Sequence, residues 1–472
     1  MAKEMTAEQV QELQQLFEKA RAAQKVLETY DQARIDRLCQ AVCWAISNKK
    51  TFERLVAMGI EESGLGDPVS RLNKRNKIRL ILREALRHPS VGIVEEIPEK
   101  GIVKYAKPVG VIASLVPTTN PDLTPGGQAV YAIKARDAVI FSPHPRSKKT
   151  TFESVEIMRR ALAAEGAPAD ILQCITLPSI PMTEALMAEA DLTIATGGKP
   201  MVKAAYSSGK PAYGSGAGNA TMIFDETADV VEACHNTMLS KTSDYGSGCS
   251  ADGNIVVHES IYDAVLEQLQ VEGGYFAKGE EKEMLRRGMW DEECHRKSDT
   301  VAIAPQELAR RCGFEIPADR KFIFVLGDGY GSDYQHLFCS EKLTTLLAVH
   351  KYEGEFENAL DAMRAIYEVG GKGHSVGIYS FDDEHIHRLG LAAPVSRIMV
   401  RQPQSKANAG AATNGMPPTS SMSCGTWGGN IVSENIWLKH YMNYTWVSRP
   451  IPADMPSPEE LFGDFYDPAM DE

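Results

Sequence analysis

Cys249 stands in a run of small residues, Gly246-Ser247-Gly248-Cys249-Ser250, about midway along the chain and shortly after Lys241-Thr242-Ser243-Asp244-Tyr245. A thiol flanked by glycines leaves room for a carbonyl carbon to reach the sulfur, as nucleophilic attack by cysteine requires. Taken alone, one cysteine of nine reads as an inert buried thiol. A second group suited to carbonyl chemistry is Asn120, in Pro117-Thr118-Thr119-Asn120-Pro121 directly after an apolar run. A side-chain amide at the end of a strand can donate to a developing oxyanion, a contribution of about 3 to 4 kcal/mol when preorganised. Asn before Pro is also an ordinary turn former. Two more loops follow apolar runs. Ser142-Pro143-His144-Pro145-Arg146-Ser147-Lys148-Lys149 has no carboxylate for a ribose diol and three cations near where an adenosine phosphate would lie; it reads equally as the solvated basic start of a helix. Thr196-Gly197-Gly198-Lys199-Pro200 is not the GxGxxG fingerprint.

The elements that must position these groups alternate. Residues 1–90 are mostly helical. Thr6 and Gln9 suit a capping box, and Val10, Leu13, Leu16, Phe17 and Ala20 fall on one predicted helical face. Leu38, Val42, Ala45 and Ile46 form a similar pattern. From Ile102 the character changes to short strands, Val103–Ala106 and 109–116, broken by Pro108 and Gly110. Apolar runs at 109–113, 138–141 and 192–195 each lead into a Gly/Pro/Ser loop and then a helical stretch. That alternation predicts an α/β fold with a parallel, doubly wound sheet, which binds nucleotides at the carboxyl ends of its strands. A second αβ region is expected after about residue 232. The strand-like 443–448 reads as an arm that pairs with a partner subunit, or as a frayed terminus.

Composition excludes several functions. Of the 472 residues, 43% are hydrophobic and 24% charged, as in ordinary globular proteins, and the length suits two or three domains. A net charge of −13 argues against a nucleic-acid partner. Apolar runs are too short for a membrane span, and mean hydropathy is −0.25. The N-terminal stretch lacks the apolar core of a signal peptide. The cysteines are odd in number and scattered, and Cys39 and Cys43 at i,i+4 do not make a zinc site. A reduced, cytoplasmic chain without a metal site is expected.

The order of motifs carries a resemblance. It runs through Pro117–Pro121, 141–146, Thr196-Gly197-Gly198, Gly214-Ser215-Gly216-Ala217-Gly218-Asn219, Ser240-Lys241-Thr242 with Cys249, Ser340-Glu341-Lys342-Leu343, Gly373-His374 and Cys424–Asn430. Together these resemble the acylating, coenzyme A-dependent branch of the aldehyde dehydrogenase superfamily. The resemblance implies a Rossmann-like nucleotide-binding domain (1–232, with a bridging β segment at 96–109), an α/β catalytic domain (233–432) and a C-terminal return and oligomerisation arm (433–472). It implies Cys249 as nucleophile, Asn120 as oxyanion donor and Glu341 on the nicotinamide ribose. Thr119, Ser142, His144, Arg146, Thr196, Gly197 and Gly198 fall on nucleotide-contacting loops. His374 has a catalytic or coenzyme A-related role, or is a packed structural histidine.

The chemistry that follows is addition of Cys249 to an aldehyde, hydride loss to NAD or NADP, and transfer of the acyl group to coenzyme A. Hydrolytic relatives carry a Glu in the segment matching Gly214–Asn219 to activate water, and here that segment has no carboxylate. Ser243, Tyr245 and Ser247 make the stretch before Cys249 polar, which suits an anionic substituent and resembles acylating sulfoacetaldehyde dehydrogenases. An acetaldehyde-type pocket is the alternative. Arg136 and Arg401 are candidate cations for a sulfonate, and Arg146, Lys148 and Lys149 predict tolerance of an NADP phosphate. A homodimer or homotetramer is expected.

Overall fold

The computed structural model describes residues 4–471. Four helices open the chain: Ala7–Glu28, Gln32–Ser47, Lys49–Ser63 and Arg75–Arg87. The capping box at Thr6 and Gln9 forms. Leu13, Phe17 and Ala20 are buried, whereas Val10 is 48% exposed. The residue four before Leu13 is Gln9, and its amide turns inward to donate to Leu177 O and Ser179 Oγ, both at 2.9 Å. The buried stripe therefore begins on a polar residue, and Val10 is rotated off it.

Two parallel sheets follow. The first has five strands in the order Leu172–Cys174, Ala138–Pro143, Val111–Val116, Leu192–Thr196, Ala212–Ser215. Two of its three inner strands, at 111–116 and 138–143, are buried along their whole length, which is why they read as unbroken apolar runs rather than alternating ones. The second has seven strands, also all parallel, in the order Gly274–Phe276, Phe322–Leu326, Leu346–Tyr352, Asn254–His258, Thr221–Phe224, Val376–Tyr379, Ile398–Val400. The chain passes from the first sheet to the second between Ser215 and Thr221, ahead of residue 232. Among the described residues, no helix is long and apolar enough to cross a membrane.

A third, antiparallel sheet joins Gly92–Ile97, Ile102–Pro108 and Met442–Ser448. The last of these pairs with its own chain from Met442 opposite Pro108 to Ser448 opposite Ile102. Lys104 Nζ sits 4.1 Å from the Trp446 ring centroid. The strand's other edge has no partner strand among the described residues.

The connectivity places the chemical groups. Asn120, Ser142 and Thr196 lie at carboxyl ends of first-sheet strands. Cys249, Glu341 and His374 precede the second-sheet strands 254–258, 346–352 and 376–379, and so lie near their amino ends. Lys74 bridges the two loop sets, donating to Asn120 Oδ1 and to Asp244.

Candidate active site

Cys249 is half-buried, and His374 Nε2 lies 3.1 Å from its Sγ. The imidazole is itself held from behind. His374 Nδ1 is 2.8 Å from Ser375 Oγ, which also accepts from Asn408 Nδ2 at 3.1 Å. A hydroxyl oxygen that already accepts one amide proton is well placed to accept Nδ1–H, leaving Nε2 as the lone-pair nitrogen facing the sulfur. Arg397 braces the same segment, donating to His374 O at 2.9 Å, Asn435 Oδ1 at 2.7 Å and Ser423 O.

Electrostatics keep this pair neutral at rest. Burial, then the Glu341 carboxylate and the neighbouring Cys424 thiol, push Cys249 up to about 12; Arg397 opposes them. Burial and Arg397 push His374 down to about 3. At pH 7 the site therefore holds a thiol facing an unprotonated imidazole, an acid and a base in contact with no net charge to desolvate.

Asn120 is tied to the nucleophile loop through a charge network. Lys74 Nζ donates to Asn120 Oδ1 at 2.6 Å and to the Asp244 carboxylate. With Oδ1 occupied, the amide presents its NH₂ edge, and Nδ2 also donates to Thr119 Oγ1 at 3.3 Å. Asp244 accepts from Ser247 Oγ at 2.7 Å, two residues before the nucleophile candidate, and from Asp67 N at 2.8 Å. Burial alone would raise its carboxyl, but Lys74 and Arg71 hold it below the ordinary value. Arg71 is fully buried on Asp122 at 2.9 Å. These charges hold a strained turn: Asp244, Tyr245 and Gly246 are all left-handed, with φ of 49°, 50° and 68°. Each non-glycine residue there costs about 1 to 2 kcal/mol. Ser243 opens this turn, Tyr245 is half-buried in it, and the Ser247 hydroxyl proton is already committed to Asp244.

The glycine-rich crossover passes directly against the nucleophile loop. A methyl group on Gly218 would overlap the Cys249 carbonyl oxygen, and one on Gly214 would lie 2.9 Å from Tyr206 Cε2 and also meet Val202. Gly218 N–H donates to Glu341 Oε1 at 2.8 Å. Burial raises the Glu341 carboxyl, against Arg296 and Lys241.

The first-sheet loops suit a nicotinamide dinucleotide. Thr118 Oγ1 and Ser215 Oγ, both at carboxyl ends of strands, are buried without a hydrogen-bond partner, as groups awaiting a polar ligand would be. Thr196 Oγ1 meets Ser421 Oγ at 2.7 Å, with Gly197 and Gly198 continuing the loop. Ser142 Oγ meets Thr183 Oγ1 at 2.9 Å. His144 Nδ1 accepts from Arg146 N, and the Arg146 guanidinium turns back to Ser63 O at 2.9 Å. A carboxylate absent from this loop's own sequence arrives from elsewhere. Glu62 accepts from Lys149 N at 2.8 Å and from Thr150 N and Oγ1 at 2.9 Å, capping the helix Lys148–Ala164.

Neither candidate sulfonate cation belongs to the site. Arg136 caps the helix Leu123–Ala135 and donates to Glu28 O and Ala106 O. Arg401 is exposed, with its guanidinium over the Phe381 ring at 4.1 Å. Conversely, Lys74, Asp244, Ser375, Asn408, Arg397 and Glu62 carry the site's geometry and escaped the sequence reading. Asp244 and Ser375 adjoin residues already singled out; nothing in the sequence marks the other four.

Residues 2–277, more than half of the chain, match the aldehyde dehydrogenase family. The chain is 41% identical to a sulfoacetaldehyde dehydrogenase of an Acholeplasma species, covering 95% of this chain and 93% of that protein. It is 38% identical to an acylating sulfoacetaldehyde dehydrogenase of Bilophila wadsworthia, covering 95% and 97%. The crystal structure of an acetylating aldehyde dehydrogenase from Geobacillus thermoglucosidasius superposes with a TM-score of 0.91 at 35% identity, covering 95% of this chain and 98% of that one. The fold, the motif order and these likenesses agree: the chain belongs to the aldehyde dehydrogenase family, in its acylating, coenzyme A-dependent branch.

Proposed function

We propose that this enzyme reversibly oxidises sulfoacetaldehyde to sulfoacetyl-coenzyme A through a thioester on Cys249. The observation that carries the mechanism is the unprotonated His374 Nε2 at 3.1 Å from the thiol. As Cys249 Sγ bonds to the aldehyde carbon, His374 takes the thiol proton. Asn120 Nδ2, aimed by Lys74, and the Cys249 backbone N–H stabilise the oxyanion. A nicotinamide, when bound, accepts the hydride whose departure leaves the acyl group on sulfur, and Glu341 orients its ribose. His374 releases its proton, takes that of the incoming coenzyme A thiol, and returns it to Cys249 as the acyl group is exchanged. The Gly214–Asn219 segment offers water no carboxylate. The five-stranded sheet serves as the nucleotide-binding unit and the seven-stranded sheet as the catalytic one. The outer edge of the 442–448 strand pairs subunits into a homodimer or homotetramer.

The sulfonate reading rests on Ser243 and Tyr245 in the turn that leads to Cys249 and on the sulfoacetaldehyde enzymes among the relatives. The test is an aldehyde panel followed by nicotinamide absorbance, with and without coenzyme A. Turnover should require coenzyme A, and kcat/KM should be higher for sulfoacetaldehyde than for acetaldehyde; the reverse order removes the sulfonate reading. Tyr245→Phe should lower kcat/KM for sulfoacetaldehyde about ten-fold, the effect of one hydrogen bond to an ion, with little change for acetaldehyde. Equal losses would make Tyr245 a structural residue of its strained turn.

For the dinucleotide, Glu62 changes the balance. The amino end of the helix Lys148–Ala164 already holds a carboxylate, which repels a 2′-phosphate and uses the amide protons that would bind one. NAD should therefore exceed NADP in kcat/KM, and Glu62→Gln should narrow the gap. An NADP preference in the wild type would return the role to Arg146, Lys148 and Lys149.

A further inference from the structure

A sulfonate needs a cation, and three of the cations near Asn120, His374 and the Asp244 turn are already committed. Arg71 is buried on Asp122, Lys74 is paired with Asp244, and Arg397 is spent on Asn435 and two carbonyls. Lys77 differs. It lies in the first turn of the helix Arg75–Arg87, three residues after Lys74 at the helix cap, and is only half-buried. Its Nζ donates to Ala409 O at 2.9 Å and to Gly410 O, and no carboxylate lies within ion-pair reach among the described residues. Two of its three N–H bonds are thus used on neutral acceptors, and one is left over.

Its surroundings point to the nucleophile from two sides. The carbonyls it holds follow Asn408, whose amide supports Ser375 and, through it, the His374 imidazole on Cys249. On the other side, the cap of the same helix is Lys74, which holds Asn120 and the Asp244–Ser247 turn. Lys77 is therefore linked to the imidazole side through the 408–410 segment and to the oxyanion side through Lys74. Burial, with help from Arg83, pushes its ammonium down to about 7. A half-buried lysine without a counter-ion is costly, and an arriving anion offsets that cost.

We propose that Lys77 is the residue that receives the sulfonate of the substrate, its remaining N–H donating to a sulfonate oxygen while Ala409 and Gly410 fix the ammonium. The proposal deepens the sulfoacetaldehyde reading and rests on it.

The test compares Lys77→Met and Lys77→Arg with wild type, using sulfoacetaldehyde and acetaldehyde as substrates. The kcat/KM ratio of sulfoacetaldehyde to acetaldehyde should fall by about ten-fold or more in Lys77→Met, mainly through KM, and recover most of that loss in Lys77→Arg. Equal loss for both aldehydes, or an unchanged ratio, overturns the proposal and leaves Lys77 as a brace for the 408–410 segment. A separate arm measures 2-hydroxyethanesulfonate as a competitive inhibitor of acetaldehyde oxidation. Inhibition that weakens at least ten-fold in Lys77→Met supports the anion site even if wild-type sulfoacetaldehyde turnover is poor, in which case only the substrate reading fails. Inhibition indifferent to Lys77 overturns the site itself.

Discussion

Cys249→Ala is expected to lose acyl transfer in both directions, by at least about a thousand-fold in kcat, while nicotinamide affinity stays within a few-fold. The size follows from the role: without the sulfur there is no covalent intermediate, and what remains of the site can only bind. The sulfur comes from a second-sheet loop, whereas most groups proposed to hold the dinucleotide come from first-sheet loops, so nicotinamide affinity should outlast the loss of chemistry. The informative exception is Cys424, which is buried close enough to raise the Cys249 thiol. Retained turnover in Cys249→Ala would move the nucleophile there, and the double variant with Cys424→Ala would prove it.

His374→Ala should cost about 10² to 10⁴ in kcat, the usual range for a positioned general base. Its pH dependence is the more specific signature. In the wild type the thiol, pushed up to about 12, and the imidazole, pushed down to about 3, bracket the working range, so neither titrates between pH 6 and 9 and the chemical step should be flat there. Removing the imidazole leaves a thiol with a raised pKa and no base. Its thiolate fraction then grows about ten-fold for each pH unit below that pKa, and the variant's rate should climb with the same slope. A variant that stays pH-independent, or loses less than about five-fold, would make His374 a packing residue.

Much of the fold was legible because its strands are buried on both faces. Stretches such as Val111–Val116 and Ala138–Pro143 have no reason to alternate, and Pro108 and Gly110 mark where one strand must end before the next begins. The capping box was legible because its two residues interact locally. Val10 was misplaced because hydropathy patterns assume the inward face is apolar, and Gln9 satisfies its amide inside.

The site divides along the same line. Cys249 and His374, 125 residues apart, were reachable only through the order of motifs, since nothing in either neighbourhood names the other. The clamp from Lys74 to Asp244 spans 170 residues, and Glu62 reaches Lys149 across 87. Such pairs depend on where helices dock, and a lone lysine on an amphipathic helix looks the same whether it meets water or a buried aspartate. The residues that tune the chemistry are therefore the ones the sequence conceals.

The close passage of Gly214 and Gly218 bears on the ancestry of the activity. A lineage that hydrolyses its thioester and one that hands it to a thiol differ, in this motif, by the presence of one carboxylate. At Gly214 and Gly218 gaining that carboxylate is hindered by volume as well as by chemistry. A carboxylate side chain at Gly214 must displace Val202 and Tyr206, and any side chain at Gly218 must move the backbone of Cys249 itself. A mutant that gained a base for water at Gly218 would misplace its nucleophile in the same event. Such intermediates would serve neither acceptor well, so the choice of acceptor should behave as an inherited commitment, and laboratory evolution toward hydrolysis should need several coordinated changes before any of them helps.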